Sequence, residues 1–356
     1  MDCVDIPQIS GLQVPWMADG KHRPVSASLE LTQRCNNRCI HCYLDPANRR
    51  APADLPTEFW LQMLDVLQAE ECLFVTFTGG EPLLRADFST LYKAAKGSGF
   101  VPTIMTNARL ISDEIVALLA DLPPRCVSVS LYGASAATYD HVSAVPGSFH
   151  EAIAGIRRLH DGGIPFHLKT MLLQSNYHEL GQMKSLADEL GCTLRFDCSI
   201  MPTVEGGRHV QREQLAPETI VDIEFADPEV SAKLRETYQA SATIQPCRTA
   251  FLCNAGRWNV YVDATGAVLP CSSARRARWP LDRRELGPSF HRAFHEEMPK
   301  VTLRPISGSF ACGECELRLL CPACTAFRDL ETGSLTQPSE FGCKVARLRA
   351  LRAAER

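Results

Sequence analysis

The chain has 356 residues, 45% of them hydrophobic, and a formal net charge of −4, which suffices for one large domain, a smaller one and a buried core. The weak net charge argues against a dedicated nucleic-acid binder, and no apolar stretch reaches the ~18 residues that a membrane-spanning helix needs. Because the N-terminus also lacks the basic head and apolar run of a secretory signal, we expect a cytoplasmic protein with no nucleic-acid or membrane partner.

Strand-like and helix-like segments alternate from residue 25 to about residue 198. The predicted strands are short and rich in Val, Thr, Phe and Leu, and they cover 25–32, 73–79, 101–106, 126–132, 165–173 and 193–198. The predicted helices repeat apolar residues at helical spacing or end at glycine, and they cover 57–70 (which is expected to begin with a Thr cap), 87–99, 151–163 and 177–191. Six strand–helix units in series predict an α/β fold, a partial TIM-like (β/α)6 barrel with its active site at the carboxyl ends of the strands.

The character of the sequence changes after the sixth unit. Residues 199–245 combine a turn-rich loop with an acidic linker and a helix, and after residue 246 cysteines become dense while helical patterns fade. We therefore place a domain boundary near residue 245. The predicted organisation is an N-terminal extension at 1–24, a barrel with its linker at 25–245, a small cysteine-rich domain at 246–345 and a C-terminal tail at 346–356.

The sixteen cysteines are clustered rather than evenly spread. A reducing cytoplasm does not favour a disulfide framework, so clustered cysteines indicate metal or redox chemistry. The first cluster, Cys35-x3-Cys39-x2-Cys42, directly follows the first predicted strand, at the face where barrel enzymes carry their chemistry. An ordinary [4Fe–4S] cluster takes four thiolates, so three thiolates leave one iron open to a substrate. The alternative on these residues alone is a zinc site completed by His41.

A second motif, FTGGEPLL at 77–84, follows the second predicted strand. Together with the C-x3-C-x-Φ-C spacing, in which His41 takes the usually aromatic place, it resembles the radical S-adenosylmethionine (SAM) superfamily. The resemblance implies a [4Fe–4S] cluster on Cys35, Cys39 and Cys42 whose open iron binds SAM. Reduction of the sulfonium would then give methionine and a 5′-deoxyadenosyl radical that abstracts hydrogen.

The same resemblance implies which residues contact SAM. Gly79 and Gly80 let the backbone approach the ligand, Glu81 offers its carboxylate to the methionine ammonium, and Pro82 fixes the turn. Weaker matches at the ends of the next strands supply further polar groups, for which capping of a strand end is the alternative role. The full set of cofactor-binding candidates is His41, Gly79, Gly80, Glu81, Pro82, Asn107, Ser130 and Lys169.

One position departs from the family pattern. In many relatives an arginine follows the Ser130 position by twelve residues and meets the methionine carboxylate, whereas this chain has Val142 there. Either His141 or Lys169 therefore substitutes for the arginine, or the contact is lost.

Eight further cysteines lie between residues 247 and 343, enough for two four-thiolate sets, and their spacing alone leaves two zinc sites open. The stretch FLCNAGRWNVYVDATGAVLPC at 251–271, with a hairpin turn at 264–266, resembles the SPASM domain, which binds two auxiliary [4Fe–4S] clusters. Two residues separate Cys321 from Cys324, where relatives usually have three. The ligand sets that the resemblance implies are Cys247, Cys253, Cys271 and Cys324 for the first auxiliary cluster, and Cys312, Cys315, Cys321 and Cys343 for the second.

The resemblance covers about residues 25–345 and is strongest to SPASM enzymes that modify peptides, including the one that crosslinks Glu and Tyr in the pyrroloquinoline quinone precursor. It implies an oxidoreductase that modifies or crosslinks a ribosomally made peptide, with the auxiliary clusters as an exit for electrons. Anaerobic formylglycine formation in a sulfatase is an alternative, although Ser272 stands where those enzymes carry an Asp. Tetrapyrrole side-chain modification is another alternative, and a non-enzymatic metal scaffold is disfavoured by the two motifs.

Few residues offer acid–base chemistry. Asp197 ends the sixth strand and Asp263 precedes the hairpin turn, so either is a candidate to take a proton from a substrate radical, although each has an alternative role as a cap or turn residue. The expected partners are a precursor peptide and a reductant such as flavodoxin or ferredoxin. Because only 24 residues precede the first strand, we also expect a separate leader-peptide-binding adaptor protein.

Overall fold

A computed structural model describes residues 22–44, 54–307 and 310–355. In this part of the chain, nine strands form one sheet in the order β6-β5-β4-β3-β2-β1-β7-β8-β9. The strands are β1 (Ser26–Glu30), β2 (Phe74–Thr78), β3 (Val101–Thr106), β4 (Cys126–Ser130), β5 (Phe166–Met171), β6 (Leu194–Asp197), β7 (Asn259–Val262), β8 (Ala267–Leu269) and β9 (Trp279–Pro280).

The first six strands each pair in parallel with the next along the chain. All six predicted strands are confirmed, each at or within the predicted bounds. Because parallel neighbours run in one direction, their carboxyl ends lie along one edge of the sheet, where the loops that follow them meet. The order runs without reversal from β1 to β6, so the predicted partial barrel with a parallel sheet is confirmed.

Helices connect the strands and continue after β6. The described α-helices are Thr57–Ala69, Phe88–Gly97, Asp113–Asp121, Ala136–Ser143, Ser148–Asp161, Leu180–Glu189, Pro217–Ala226, Pro228–Ser241, Leu286–His291, Met298–Thr302, Ala311–Glu314, Thr325–Thr332 and Glu340–Ala354. Shorter 3₁₀ and π segments cover Pro82–Leu84, Tyr177–Glu179, His209–Glu213 and Arg292–Glu297. Among the described residues, no helix combines the length and apolar character that crossing a bilayer requires.

The helix ends follow local chemistry, with one correction. The predicted glycine stops are confirmed, since Gly99, Gly163 and Gly191 have φ of 83°, 64° and 60° just after their helices. The predicted Thr cap is wrong. Thr57 is the first residue inside its helix, where its hydroxyl donates to Asp87 at 2.6 Å instead of capping a backbone amide.

The core lies between the sheet and the helices. Phe77 of β2 packs against Phe88 and Tyr92 of one helix, with ring centroids 5.8 and 6.3 Å apart. Trp60 of the preceding helix is fully buried beside them. Burial of this apolar face anchors the helices and leaves the carboxyl ends of the strands to carry polar side chains.

The cysteine-rich segment is joined to the barrel through β1. Strand β7 pairs in parallel with β1 on the edge opposite β2, and β8 and β9 follow in antiparallel pairing. At the end of β1 the fully buried Glu30 carboxylate accepts hydrogen bonds from Tyr261 of β7 and from Arg275, both at 2.8 Å. The boundary near residue 245 falls between the last helix before β7 and β7 itself, and it stays a prediction.

Candidate functional site

A cavity of about 690 Å³ lies at the centre of the partial barrel, lined by residues from all of the first six strands or the loops after them. The loop after β1 contributes the three clustered cysteines. The other predicted site residues that line this cavity are His41, Gly79, Gly80, Asn107, Ser130, Lys169 and Asp197. Of the cofactor-binding and acid–base candidates, Glu81, Pro82 and Asp263 do not line it.

Two backbone hydrogen bonds hold the loop that carries the three cysteines. The Arg38 amide donates to the Ser143 carbonyl at 2.8 Å, and the Ile40 amide donates to the Val142 carbonyl at 3.0 Å. Val142 itself is fully buried in a small apolar cluster. The residue that replaces the family arginine therefore serves the cysteine loop through its backbone rather than through a charge.

Side chains from the end of β3 hold the same loop from the other side. The side-chain amide of Asn107 donates to the Asn36 side chain at 2.7 Å, and the Arg109 guanidinium donates to the Asn37 side chain at 2.7 Å. Arg109 is also paired with Glu151 at 2.7 Å. Sequence reasoning missed Arg109, since no motif marks it, but its place three residues after the predicted end of β3 puts it on the functional face.

The two glycines after β2 pack against the backbone that leads into the cysteine loop. Gly80 donates to the Thr32 carbonyl at 2.8 Å, and a Cβ at Gly80 would lie 2.2 Å from the Arg34 carbonyl oxygen. Gly79 has φ of 145°, and a Cβ there would lie 2.3 Å from the Thr32 oxygen. Glycine is therefore required for the approach of two chain segments, a reason independent of any ligand.

Glu81 is buried behind the cavity wall. Its carboxylate accepts hydrogen bonds from the backbone amide of Leu83 at 3.1 Å, the Thr106 hydroxyl at 2.8 Å and the backbone amide of Asn107 at 2.8 Å. Burial raises the pKa of Glu81 to about 7, against the lowering effect of these three donors. Thr106 and Asn107 line the cavity, so Glu81 supports that wall, and its neighbour Pro82 is likewise buried.

Lys169 brings a positive charge into the cavity, and His141 does not. Lys169 lines the cavity from β5, and burial lowers its pKa to about 8. His141 is exposed on a helix and is not among the lining residues. Of the two candidates to replace the family arginine, only Lys169 is therefore available to an anionic group in this cavity.

His41 lines the cavity and packs edge-on against Tyr132, with ring centroids 4.9 Å apart. In this position the imidazole makes the kind of ring contact that an aromatic residue would make.

The two candidate bases occupy different places. Asp197 lines the cavity at the end of β6 and accepts a hydrogen bond from the Ser199 amide at 2.9 Å. Asp263 lies in the β7–β8 turn, where its carboxylate accepts from Arg278 at 2.7 Å and from Thr265. Burial acts to raise the pKa of Asp263, but these hydrogen bonds outweigh it and hold the pKa below its usual value. Asp263 is thus a turn residue with a fixed charge, away from the cavity.

Among the cavity residues that the sequence analysis did not propose for the site, three lie in contact on β4 and β5. His167 of β5 lies 2.9 Å from the Ser128 hydroxyl and 3.1 Å from the Cys126 sulfur, both on β4. Strand alternation could have found them. Cys126 and Ser128 lie four and two residues before Ser130 on β4, and His167 lies two residues before Lys169 on β5, so they face the same side of the sheet as these two candidates.

The C-terminal cysteines surround a second cavity of about 220 Å³, lined by Cys253, Cys312, Cys315, Cys321, Cys324 and Cys343. The pKa of the Cys321 thiol is raised, mainly by burial and to a lesser extent by the charge of Cys343. Burial likewise raises the pKa of Cys271, and the charges of Cys324 and Cys253 add to the rise, so Cys271 belongs with these two thiols. Cys247 contacts Thr249 at 3.2 Å and donates its amide to Gly313, outside the group that lines the cavity.

The donor chemistry of the second cavity fits iron–sulfur clusters. Its lining contains six thiols and three arginines, and neither a histidine nor a carboxylate among the described residues. Thiolates are the ligands of iron–sulfur clusters and also of zinc, and the arginines suit the net negative charge of either thiolate-bound centre. The cysteine loop of the first cavity fits a cluster with three protein ligands and one open position.

Comparisons with known proteins agree with this geometry. Residues 29–187 match the model of the Radical SAM superfamily. The AdoMet-dependent heme synthase of Methanosarcina barkeri is 24% identical over 88% of this chain and 94% of that protein. The mycofactocin maturase of Mycobacterium ulcerans is 28% identical over 83% of this chain and 81% of its own length. The PqqA peptide cyclase of Rhodopseudomonas palustris is 28% identical over 70% of this chain and 68% of that protein.

Solved structures share the fold. Streptococcus suis SuiB bound to its precursor peptide SuiA superposes with a TM-score of 0.67 at 16% identity, over 94% of this chain and 80% of that one. Native anSMEcpe with bound AdoMet gives a TM-score of 0.71 at 15% identity, over 93% of this chain and 97% of that one. The similarity therefore extends through both the barrel and the cysteine-rich segment.

We expect Gly80→Ala to lower the free energy of unfolding by about 1–3 kcal/mol, because the new methyl group must displace the backbone at Arg34. Gly97→Ala is the matched control, since a Cβ there meets nothing within 4 Å and the residue is helical, so alanine should be neutral or stabilise by up to about 1 kcal/mol. Thermal unfolding followed by circular dichroism under anaerobic conditions measures both. Equal melting temperatures for Gly80→Ala and the wild type would contradict the packing role.

Proposed function

We propose that this chain, a radical SAM enzyme whose residues 29–187 form the radical SAM domain, oxidatively modifies or crosslinks a ribosomally made peptide. The observation that supports this most is the combination of a three-cysteine cavity in the barrel with a second, six-cysteine cavity in the fold of SuiB. SuiB was solved with a precursor peptide, and two of the relatives are named for peptide maturation or cyclisation.

In this proposal the chain holds three [4Fe–4S] clusters. Three thiolates hold the SAM-binding cluster, and the C-terminal cysteines, with Cys247 as the fourth ligand of the first auxiliary cluster, hold the other two. Bound SAM and its cluster supply a 5′-deoxyadenosyl radical for hydrogen abstraction. The C-terminal cysteines would thereby hold centres able to accept the electrons that an oxidative crosslink releases.

The chain's own residues would bind and orient the reactants. The half-buried Lys169 ammonium, which lines the cavity, is suited to the methionine carboxylate, because opposite charges attract more strongly in a partly desolvated cavity than in water. Ser130 lies at the end of β4, where it can donate to the nucleoside. Glu81 would act through Thr106 and Asn107, which it holds in the cavity wall.

Proton removal from the substrate is assigned to Asp197. Asp197 is the one acidic residue among the described residues that line the cavity, and it lies at the end of β6. Asp263 is not proposed as the base, because Arg278 and Arg275 lie within salt-bridge distance of its carboxylate and hold its charge. A peptide segment entering the cavity at the strand ends would thus meet the radical source and a base on the same face.

The proposal includes two further proteins. A flavodoxin or ferredoxin would supply the electron for the SAM-binding cluster. A separate adaptor would bind the leader peptide and bring the precursor to the barrel.

One other function is favoured by a specific observation. A heme synthase matches this chain over almost the whole length of both proteins, so tetrapyrrole side-chain modification is the second candidate. Formylglycine formation is weaker. The fold matches anSMEcpe, but Ser272 offers a hydroxyl where those enzymes are expected to carry a carboxylate.

We expect the triple variant Cys35→Ala, Cys39→Ala, Cys42→Ala to make no 5′-deoxyadenosine, because only the cluster on these thiolates has an open iron. Its iron content should fall from about twelve to about eight per chain, since each cubane holds four irons. Cys192→Ala is the control, because Cys192 lines neither cavity. Equal 5′-deoxyadenosine from the triple variant and the wild type, or about four irons with two zinc ions in the wild type, would refute the assignment.

We expect reconstituted enzyme to convert a precursor peptide encoded beside it, with loss of hydrogen from the peptide detected by mass spectrometry. Adding the co-encoded adaptor should raise both affinity and turnover, because the leader is then bound before the core peptide enters the cavity. Full turnover without the adaptor would remove the adaptor from the proposal. Conversion of a tetrapyrrole or a sulfatase peptide, with no activity on the neighbouring precursor, would overturn the substrate class.

A further inference from the structure

Arg328 is a buried arginine on the helix Thr325–Thr332, with 3% of its surface exposed. Its guanidinium donates to the Ala323 carbonyl at 3.3 Å, and to the Thr325 hydroxyl and the Leu335 carbonyl at 3.2 Å each. All three acceptors are neutral, and no carboxylate of the described residues forms a salt bridge with it. The Nε–H of Arg328 has no hydrogen-bond partner among the described residues. A buried charge of this kind requires a counter-charge nearby.

The surroundings of Arg328 point to that counter-charge. Arg328 lines the second cavity together with six cysteines. Cys253, Cys312 and Cys321 all line this cavity together with Arg328. Cys253 belongs to one predicted ligand set, and the other two belong to the second set. Arg328 therefore lies close to both sets at once.

We propose that Arg328 is a shared counter-ion of the two auxiliary clusters and raises the reduction potential of both. This inference rests on the auxiliary clusters of the proposed function. Each electron that a thiolate-bound cluster accepts makes it more negative, so a fixed guanidinium close by stabilises the reduced form more than the oxidised form. The unpartnered Nε–H adds a hydrogen-bond donor in the cavity, which acts on the potential in the same direction.

The experiment is an electron paramagnetic resonance redox titration of anaerobically reconstituted full-length protein. A background of Cys35→Ala, Cys39→Ala, Cys42→Ala removes the SAM-binding cluster, so that only auxiliary clusters report. We expect Arg328→Met to shift the auxiliary midpoint potentials to more negative values, and Arg328→Lys to shift them less because the charge is kept. Arg276→Met is the control, because Arg276 is 61% exposed and pairs with Asp329 on the same helix.

Three outcomes decide the inference. Unchanged potentials in both Arg328 variants, at full iron content, would overturn the counter-ion role while leaving the auxiliary clusters in place. A background protein without iron–sulfur signals would overturn the auxiliary clusters, and the inference with them. If Arg328→Met fails to assemble clusters, the neutral variant Arg328→Gln takes its place, and unchanged potentials in Arg328→Gln at full iron content would overturn the counter-ion role in the same way.

A second, independent observation lies outside both cavities. Glu70 follows the helix Thr57–Ala69, and one of its carboxylate oxygens lies 3.1 Å from His291 Nδ1 while the other lies 2.7 Å from His295 Nε2. The three ligand atoms all lie within 4.8 Å of one another. The two histidines are four residues apart on a helical stretch, the spacing that places a pair of imidazoles on one face.

We infer that Glu70, His291 and His295 form a binding site for a divalent transition metal that prefers imidazole ligands. Two imidazoles and one carboxylate are an established three-ligand set for zinc, with a fourth position left for water. A metal here would link a barrel helix to the helical stretch that follows β9.

Zinc is the probe. Cluster-loaded protein, stripped with a chelator and passed through gel filtration after zinc addition, should retain one more zinc ion per chain than the His295→Asn or Glu70→Gln variant. X-ray absorption at the zinc edge should show nitrogen and oxygen ligands at about 2.0–2.1 Å rather than sulfur at about 2.3 Å. His160→Asn, a change at another partly exposed histidine, should retain the zinc. Equal zinc in all variants, or sulfur coordination alone, would overturn the site.

Discussion

The two-sided pairing of β1 is the constraint on which the rest of the structure depends. This strand pairs with β2 on one edge and with β7 on the other, so both the barrel and the cysteine-rich segment take their register from it. The loop that carries the three clustered cysteines leaves from its carboxyl end. At the same end the buried Glu30 carboxylate accepts from Arg275 and Tyr261. The same strand that begins the site thus fixes the hairpin of the second region.

Close backbone packing and side chains from the end of β3 together fix the cysteine loop. Carbonyls of Val142 and Ser143 accept from it on one side, and the glycine pair after β2 contacts its start on the other. Of the predicted site residues that line the cavity, Asn107 also helps to hold this loop, through its hydrogen bond to Asn36. Lys169, Ser130 and Asp197 are left to interact with whatever the cavity binds.

The sequence predicted the features that local patterns encode. The six strands are marked by β-branched and aromatic residues between turn signals, and the cysteine spacings mark the two cavities. The helix Ala136–Ser143 was missed because eight residues with few apolar repeats carry no periodic signal. The motif that contains Glu81 does not reveal that its carboxylate accepts from Thr106, which lies 25 residues further along the chain. Likewise the roles of Arg275, Arg109 and Arg328 rest on contacts between distant segments or on burial, which residue type alone does not reveal.

The ion pair at the end of β1 also bears on how this chain can be divided. A fragment that stopped before β7 would lose Arg275 and Tyr261 and leave the Glu30 carboxylate with neither partner. It would also expose the backbone amides and carbonyls of β1 along a bare sheet edge, which is a template for pairing with other chains. A barrel expressed alone is therefore expected to aggregate, and gene fusions or domain exchanges between relatives are best joined outside the stretch from β1 to β9.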